Sequence, residues 1–256
     1  MSKKAKYIDA YAAELPLDRL KELSGEDLHK WINDTYSVAV EAGYAGCAVT
    51  TRITRYKGDL YLLVRKFDEA VANTREEGAL VFSRCHIEVT NQPELKRILG
   101  NIRRYCDLIS VSPQDRQLMA FSSRDHRIDV ISLPPEKAPP FFSGDIVELK
   151  AQEKLIEVTV SSLFSGNMLN PYRIRALRDS LKTIKKKNLK IIVSTGPQQI
   201  YSPRDPRALI SFAKIFLEID QAKLSKDMSD GIYKRISENQ LKRSGKIPVR
   251  GVEIEK

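Results

Sequence analysis

The sequence predicts a single-domain α/β fold of the closed (β/α)8 barrel type, on three observations. Short apolar, β-branched runs recur about eight times, near residues 8, 48, 82, 109, 130, 158, 192 and 223. Helical apolar periodicity follows most of them, and strands alternating with helices form a parallel sheet covered on both faces. Eight such units in about 250 residues is the size of a closed barrel. An open doubly wound sheet is the alternative, because periodicity does not establish closure.

The elements follow in order. Tyr7-Ile8-Asp9-Ala10 is a first strand, and Tyr11 to Leu23, interrupted by Pro16, is a loop with a helical turn. Ser24 is placed to cap a helix, with Asp27 as its box-like partner. Leu28, Trp31, Ile32, Thr35, Val38, Ala39 and Ala42 form the inner face, and Gly43 is the stop. Gly46 to Thr51 is the second strand. Residues 52–78 read as an irregular connection with its own elements: a turn, an apolar run from Leu60 to Val64, then a polar helical segment from Phe67 to Glu77. Ala79 to Val89 is strand-like. Glu94 to Tyr105 is helical behind Pro93, with Leu95, Ile98, Leu99 and Ile102 inside. Strands at Leu108–Val111, Ile128–Leu133 and Leu155–Val160 are separated by helices at Asp115–Ser122 and Asp145–Gln152.

Asn170 is a good N-cap and Pro171 suits the first helical turn, where its missing N–H costs nothing. Ile174, Leu177, Leu181 and Ile184 then make one apolar stripe, and Arg175, Arg178, Lys182 and Lys185 lie one position further round. Ile191-Ile192-Val193 is a buried strand, and a helix from about Asp205 to Phe216 follows. Ala222-Lys223-Leu224 is a last short strand, with a closing helix from Ser229 to Leu241. The barrel domain is thus 1–243, and 244–256 form a polar tail.

A net charge of +10 and a pI near 9.4 point to a polyanion, nucleic acid or an anionic membrane surface. The charge is concentrated. Between Pro171 and Arg207 stand ten Lys/Arg (173, 175, 178, 182, 185, 186, 187, 190, 204 and 207) against Asp179 and Asp205. A merely solvated face usually mixes both signs. Tyr172 and Tyr201 lie beside this set, where they could pack or stack on unpaired bases. No apolar run is long enough to span a membrane, and no apolar segment follows Lys3, Lys4 and Lys6 to make a signal peptide. Cys47, Cys85 and Cys106 are odd in number and widely spaced, which predicts reduced core thiols in a cytosolic or nuclear protein.

Catalytic signals are sparse. The three histidines, His29, His86 and His126, form no H-x-H or H-E-x-x-H pattern. His126 precedes a strand, at the stability end of a barrel. Asp9, Asp107 and Asp129 flank strand ends and read as caps before they read as a Mg²⁺ pair. Ser194-Thr195-Gly196 is a tight turn or, less simply, an anion nest. These residues predict no catalytic group and no metal site in the chain.

Five motifs in order resemble one family. They are Asp107-Leu108-Ile109-Ser110; Arg127-Ile128-Asp129-Val130-Ile131-Ser132; Ser161-Ser162-Leu163 with Asn170-Pro171-Tyr172 and Arg175; Ser194-Thr195-Gly196 with Arg204-Asp205-Pro206-Arg207-Ala208-Leu209-Ile210-Ser211; and Asp220-Gln221-Ala222-Lys223. They resemble the RNase P protein component three of archaea, related to the thirty-kilodalton subunit of the eukaryotic enzyme. The resemblance implies a TIM-like barrel and a cytoplasmic, non-catalytic subunit of an endoribonuclease that removes the 5′ leader of precursor tRNA. Cleavage would belong to RNase P RNA and its Mg²⁺ ions, with no cofactor on this chain. The resemblance also implies a small ferredoxin-like protein partner in a two-plus-two heterotetramer, further RNase P proteins and precursor tRNA. The RNA-binding set it implies, with the basic helix, is Arg175, Arg178, Lys182, Lys186, Arg204, Arg207 and Lys223. Arg204 and Lys223 would sit at the C-terminal ends of the last two strands. Ala208 departs from an Asp usual in the family. The alternatives are a metal-dependent phosphoesterase on a polymerase-and-histidinol-phosphatase barrel, or a basic RNA-binding scaffold outside RNase P.

Overall fold

In a computed structural model of the protein, residues 6–56, 58–136, 138–166, 168–196 and 204–246 are described. Strand β1 (Ile8–Pro16) leads into helices α1 (Leu17–Glu22) and α2 (Gly25–Glu41), and β2 (Gly46–Ile53) into α3 (Leu60–Glu76). Then come β3 (Val81–Ile87), α4 (Gln92–Ile102), β4 (Leu108–Val111), α5 (Arg116–Arg124), β5 (Val130–Ser132), α6 (Ser143–Ala151) and β6 (Leu155–Thr159). A hairpin, β7 (Phe164–Ser165) and β8 (Met168–Leu169), precedes α7 (Pro171–Lys186) and β9 (Lys190–Ser194). The chain closes with α8 (Pro206–Leu217), α9 (Gln221–Lys226), a π turn over Asp227–Gly231 and α10 (Ile232–Arg243).

Seven strands make one parallel sheet in the order β1-β2-β3-β4-β5-β6-β9, with helices outside it in TIM-like fashion. Its edges meet at a seam. Gly196 N donates to Tyr11 O at 2.9 Å, and Thr195 N and Oγ1 donate to Asp9 at 3.3 and 2.5 Å. The predicted alternation therefore holds, with seven strands in place of eight. The missing strand is the one expected at Ala222-Lys223-Leu224, which lies in α9. Asp220 sets the helix there by accepting from Lys223 N at 2.7 Å, an N-cap that outweighs the short apolar run.

Within the irregular connection expected over 52–78, bends and a turn do precede Leu60, but the apolar run and the helical segment are one continuous helix, α3. Leu60, Val64, Phe67, Val71 and Thr74 recur at helical spacing on its buried face, so the apolar run and the polar segment form one amphipathic element. β1 also runs six residues beyond Ala10, to Pro16. Ser24 caps α2, accepting from Asp27 N at 3.0 Å, and Asn170 caps α7, accepting from Tyr172 N and Arg173 N.

Two further expectations change. Cys85 of β3 and Cys106, just before β4, form a disulfide, while Cys47 is free and buried. Adjacent parallel strands bring together thiols that are twenty-one positions apart in sequence. The strand-flanking aspartates cap neighbouring strands rather than helices. Asp107 accepts from Ser83 N at 3.0 Å and Arg75 at 2.6 Å, and Asp129 from Ile109 N at 2.9 Å and Arg103 at 2.7 Å. Asp227 does the same for Ile191 N at 2.9 Å. Each carboxylate satisfies a backbone donor and an adjacent cation, or a donor alone, at the N-terminal end of the barrel. Of the tail, 247–256 lie outside the described residues.

Candidate functional site

The barrel interior, the packed core beneath the C-terminal face where this architecture places chemistry, holds a buried charge pair. Arg84 and Glu157 point inward from the middles of β3 and β6, and neither is exposed. Arg84 NH1 and NH2 donate to the two Glu157 carboxylate oxygens at 2.6 and 2.5 Å. Arg84 Nε donates to Ser110 Oγ at 2.9 Å, and its NH1 also donates to Ala10 O at 2.7 Å. Ser194 Oγ donates to Glu157 at 2.8 Å, and the Tyr11 ring lies 4.2 Å from the guanidinium. Burial raises the Glu157 carboxyl most strongly, but the Arg84 charge together with the hydrogen bonds from Arg84 and Ser194 holds the group below the usual carboxylate range.

Above this pair, His86 Nδ1 lies 2.8 Å from Ser110 Oγ and its Nε2 3.2 Å from Glu88. Arg52 bridges Glu14 at 3.0 Å and Glu88 at 3.9 Å. The Ser110–His86–Glu88 row has the order of a nucleophilic relay. However, Ser110 is fully buried and already bound by Arg84, so its hydroxyl meets no substrate. Among the described residues, no three His, Cys, Asp or Glu side chains converge as a metal site. The mouth is built for internal charge balance. Sequence reading missed this pair, although a charge in the middle of each of two strands with apolar ends or flanks, Val81–Ile87 and Leu155–Thr159, was the signal.

The basic set divides by location. On α7 the apolar stripe packs inward through Leu177, Leu181 and Ile184, with Ile174 half-buried. Arg175, Lys182 and Lys186 project to solvent, with Lys187 just beyond the helix end. Lys182 pairs with Asp179 at 2.7 Å. Arg175, Lys186 and Lys187 have no carboxylate partner among the described residues. Arg178 instead pairs with Glu218, whose left-handed backbone (φ 55°) ends α8. Lys185 donates to Leu217 O and Glu218 O at 3.1 and 3.2 Å. Burial, and then the Arg178 and Lys182 charges, push its ammonium down. Arg173 is also structural, donating to Ser162 O, Phe164 O and Glu136.

Arg204 and Arg207 are exposed around the start of α8, where Asp205 caps the helix by accepting from Arg207 N and Ala208 N. Lys223 is elsewhere. It lies in α9, half-buried, and donates to Leu189 O just before β9, at the N-terminal end of the barrel. The expectation that it shares the C-terminal end with Arg204 is therefore corrected, because the strand that would have carried it there is a helix. Tyr172 is 85% exposed beside Arg175, whereas Tyr201 lies outside the described residues. Ser194 ends β9, and Thr195 and Gly196 just after it form no anion nest. The N–H groups of Thr195 and Gly196 are spent on Asp9 and Tyr11 O.

A sequence profile described as RNase P subunit p30 matches residues 17–244. The ribonuclease P protein component 3 of Methanococcus vannielii is 23% identical over 184 residues, covering 71% of this chain and 77% of that protein. That of Methanopyrus kandleri is 28% identical over 148 residues, covering 56% and 58%. Among solved structures, a chain of archaeal ribonuclease P with mature tRNA superposes with a TM-score of 0.68 at 20% identity, covering 97% of this chain and 98% of that one. An adenine deaminase from Arthrobacter aurescens shares the barrel at a TM-score of 0.52 and 10% identity, covering 87% and 82%.

Proposed function

The chain belongs to the RNase P subunit p30 family, and from that premise we propose that it acts inside a ribonuclease P holoenzyme as an RNA-contacting scaffold. The reading rests on one observation above the others. Arg175, Lys182 and Lys186 line one solvent face of α7, with the exposed Lys187 just past its end, while the centre of the barrel is occupied by its own Arg84–Glu157 pair. Outward cations fit a phosphate backbone, and the buried Arg84 and Glu157 charges are occupied with each other. RNase P RNA, with its Mg²⁺ ions, carries out the hydrolysis of precursor tRNA, and the chain supports the RNA's active fold. Arg204 and Arg207, at the start of α8, extend the contact. Arg178 and Lys223 hold the chain's own helices. A small ferredoxin-like subunit in a two-plus-two assembly, other RNase P proteins and a cytoplasmic location complete the proposal.

Reconstitution tests it. RNase P RNA and the other protein subunits are assembled at moderate Mg²⁺ with and without this chain, and 5′ cleavage of precursor tRNA is followed. Cleavage that depends on the chain is expected, with none from the chain alone in Mg²⁺ or Mn²⁺. Cleavage indifferent to the chain, or chelator-sensitive turnover by the pure chain, overturns the assignment.

A further inference from the structure

The flank of the barrel around α4 carries a second set of cations, built differently from the first. Its solvent face presents Lys96, Arg97 and Gly100, with Arg104 just beyond the helix end. None of the three cations has a carboxylate partner among the described residues; each lies over an aromatic ring instead. Lys96 Nζ is 5.5 Å from the Phe121 ring centre, and the Arg97 and Arg104 guanidinium carbons are 3.8 and 4.8 Å from those of Tyr56 and Tyr105. A stacked guanidinium is held in place while its in-plane N–H donors stay free, the arrangement that suits phosphate. The nearby carboxylates are engaged elsewhere. Glu94 accepts from Tyr56 N at 2.9 Å, and Asp125 holds Arg127 at 2.9 and 2.6 Å.

Beside these cations, α5 and the start of α4 border an open groove of about 510 Å³ lined by Gln92, Gln117, Ala120, Phe121, Arg124, Asp125 and His126. It offers one aromatic ring, two side-chain amides, the Arg124 guanidinium and the His126 imidazole, and its one carboxylate, Asp125, is held by Arg127. An apolar surface with amide donors and acceptors fits a nucleobase, which stacks on aromatics and bonds along its edges. Furthermore, α4 joins β3 to β4 and α7 joins β6 to β9. These are three steps apart on a ring of seven strands, so the two basic helices occupy opposite flanks.

We propose that the α4–α5 flank is a second RNA surface, which holds a single-stranded segment with its phosphates on Lys96, Arg97 and Arg104 and a base in the groove against Phe121. The proposal rests on the reading that the chain works bound to RNA, and it makes the barrel a spacer between two RNA segments. Directed hydroxyl-radical cleavage in the reconstituted holoenzyme tests it, with the iron chelate tethered at Gly100→Cys on α4 or Thr183→Cys on α7. Position 100 tolerates the change, because an added Cβ meets only Arg127 NH1, at 4.0 Å.

Cuts from position 100 should fall in an RNA segment separate from those reached from position 183. In parallel, replacing Lys96, Arg97 and Arg104 with Ala should weaken RNA binding about tenfold or more and lower the log–log salt slope by about two. Cuts from 183 without cuts from 100, or an unchanged salt slope, overturn the second surface and leave the first standing. Cuts from neither, with no salt-sensitive RNA binding by the chain, remove the underlying RNA reading as well. Loss of another protein subunit from the triple variant at an unchanged slope makes this flank a protein contact, and the proposal falls.

Discussion

Removing the guanidinium of Arg84 would strand the Glu157 carboxylate in the barrel centre with only Ser194 to satisfy it. Stranding one member of a buried pair costs about 3–5 kcal/mol, whereas replacing both with apolar groups of similar volume is often neutral. Arg84→Met should therefore lower the urea midpoint sharply, and adding Glu157→Leu should restore much of it. Equal loss in the single and double variants would show that the pair is not the unit of stability.

Glu153 gives a pH test at the same scale. A hydrogen bond from Lys234, helped by Lys190, holds its carboxyl down at about 2. Its folded-state value is depressed, so its stabilisation is fully present above the ordinary value of 4.5 and fades as pH falls toward about 2. Glu153→Gln should flatten stability against pH across that window, and an unchanged acid limb in thermal melts would count against it.

At the scale of elements, α7 and α9 carry lysines of unlike duty. Lys182 and Lys186 on α7 face solvent, and each neutralised phosphate steepens the dependence of RNA binding on salt. Replacing Arg175, Lys182 and Lys186 with Ala should lower the log–log salt slope by about two, with little change in melting temperature. By contrast, Lys223→Ala should reduce the melting temperature and leave the slope alone, since its ammonium closes α9 against Leu189 O. Finding the reverse pattern would exchange the two roles. Gly196 belongs to this scale too. Its φ of +87° and the approach of Ser161 Oγ and Thr159 leave no room for a Cβ, so this position just after β9 needs glycine.

For the whole molecule, the seam between β1 and β9 decides whether the sheet is a ring. Among the described residues it holds by one backbone hydrogen bond and by Asp9, which accepts from Tyr11 N, Thr195 N and Thr195 Oγ1. A link this thin is the weakest part of the ring, and loss of a buried acceptor leaves donors unpaired at about 1–3 kcal/mol. Asp9→Ala should speed amide exchange at Tyr11, Thr195 and Gly196 well before β3 and β4 open. Uniform loss of protection across the sheet would mean that the seam opens only with global unfolding.

The alternation of strands and helices, the caps at Ser24 and Asn170, and the inner face of α7 were all legible in the sequence. Each depends on neighbours within a few positions, where periodicity and capping chemistry act. The basic character of the segment from Pro171 to Arg207 was legible for the same reason. Partners far apart in the chain were decided only by tertiary structure. Arg84 met Glu157 across 73 positions, Cys85 met Cys106 on the adjacent strand, and Arg178 was drawn from the exposed set by Glu218. The strand count fell from eight to seven because the Asp220 cap outweighed three apolar-leaning residues, and Lys223 moved to the opposite end of the barrel with it. Local pattern sets what each segment becomes, while charge pairing and burial, which depend on what the fold brings near, set which side chains remain free to act.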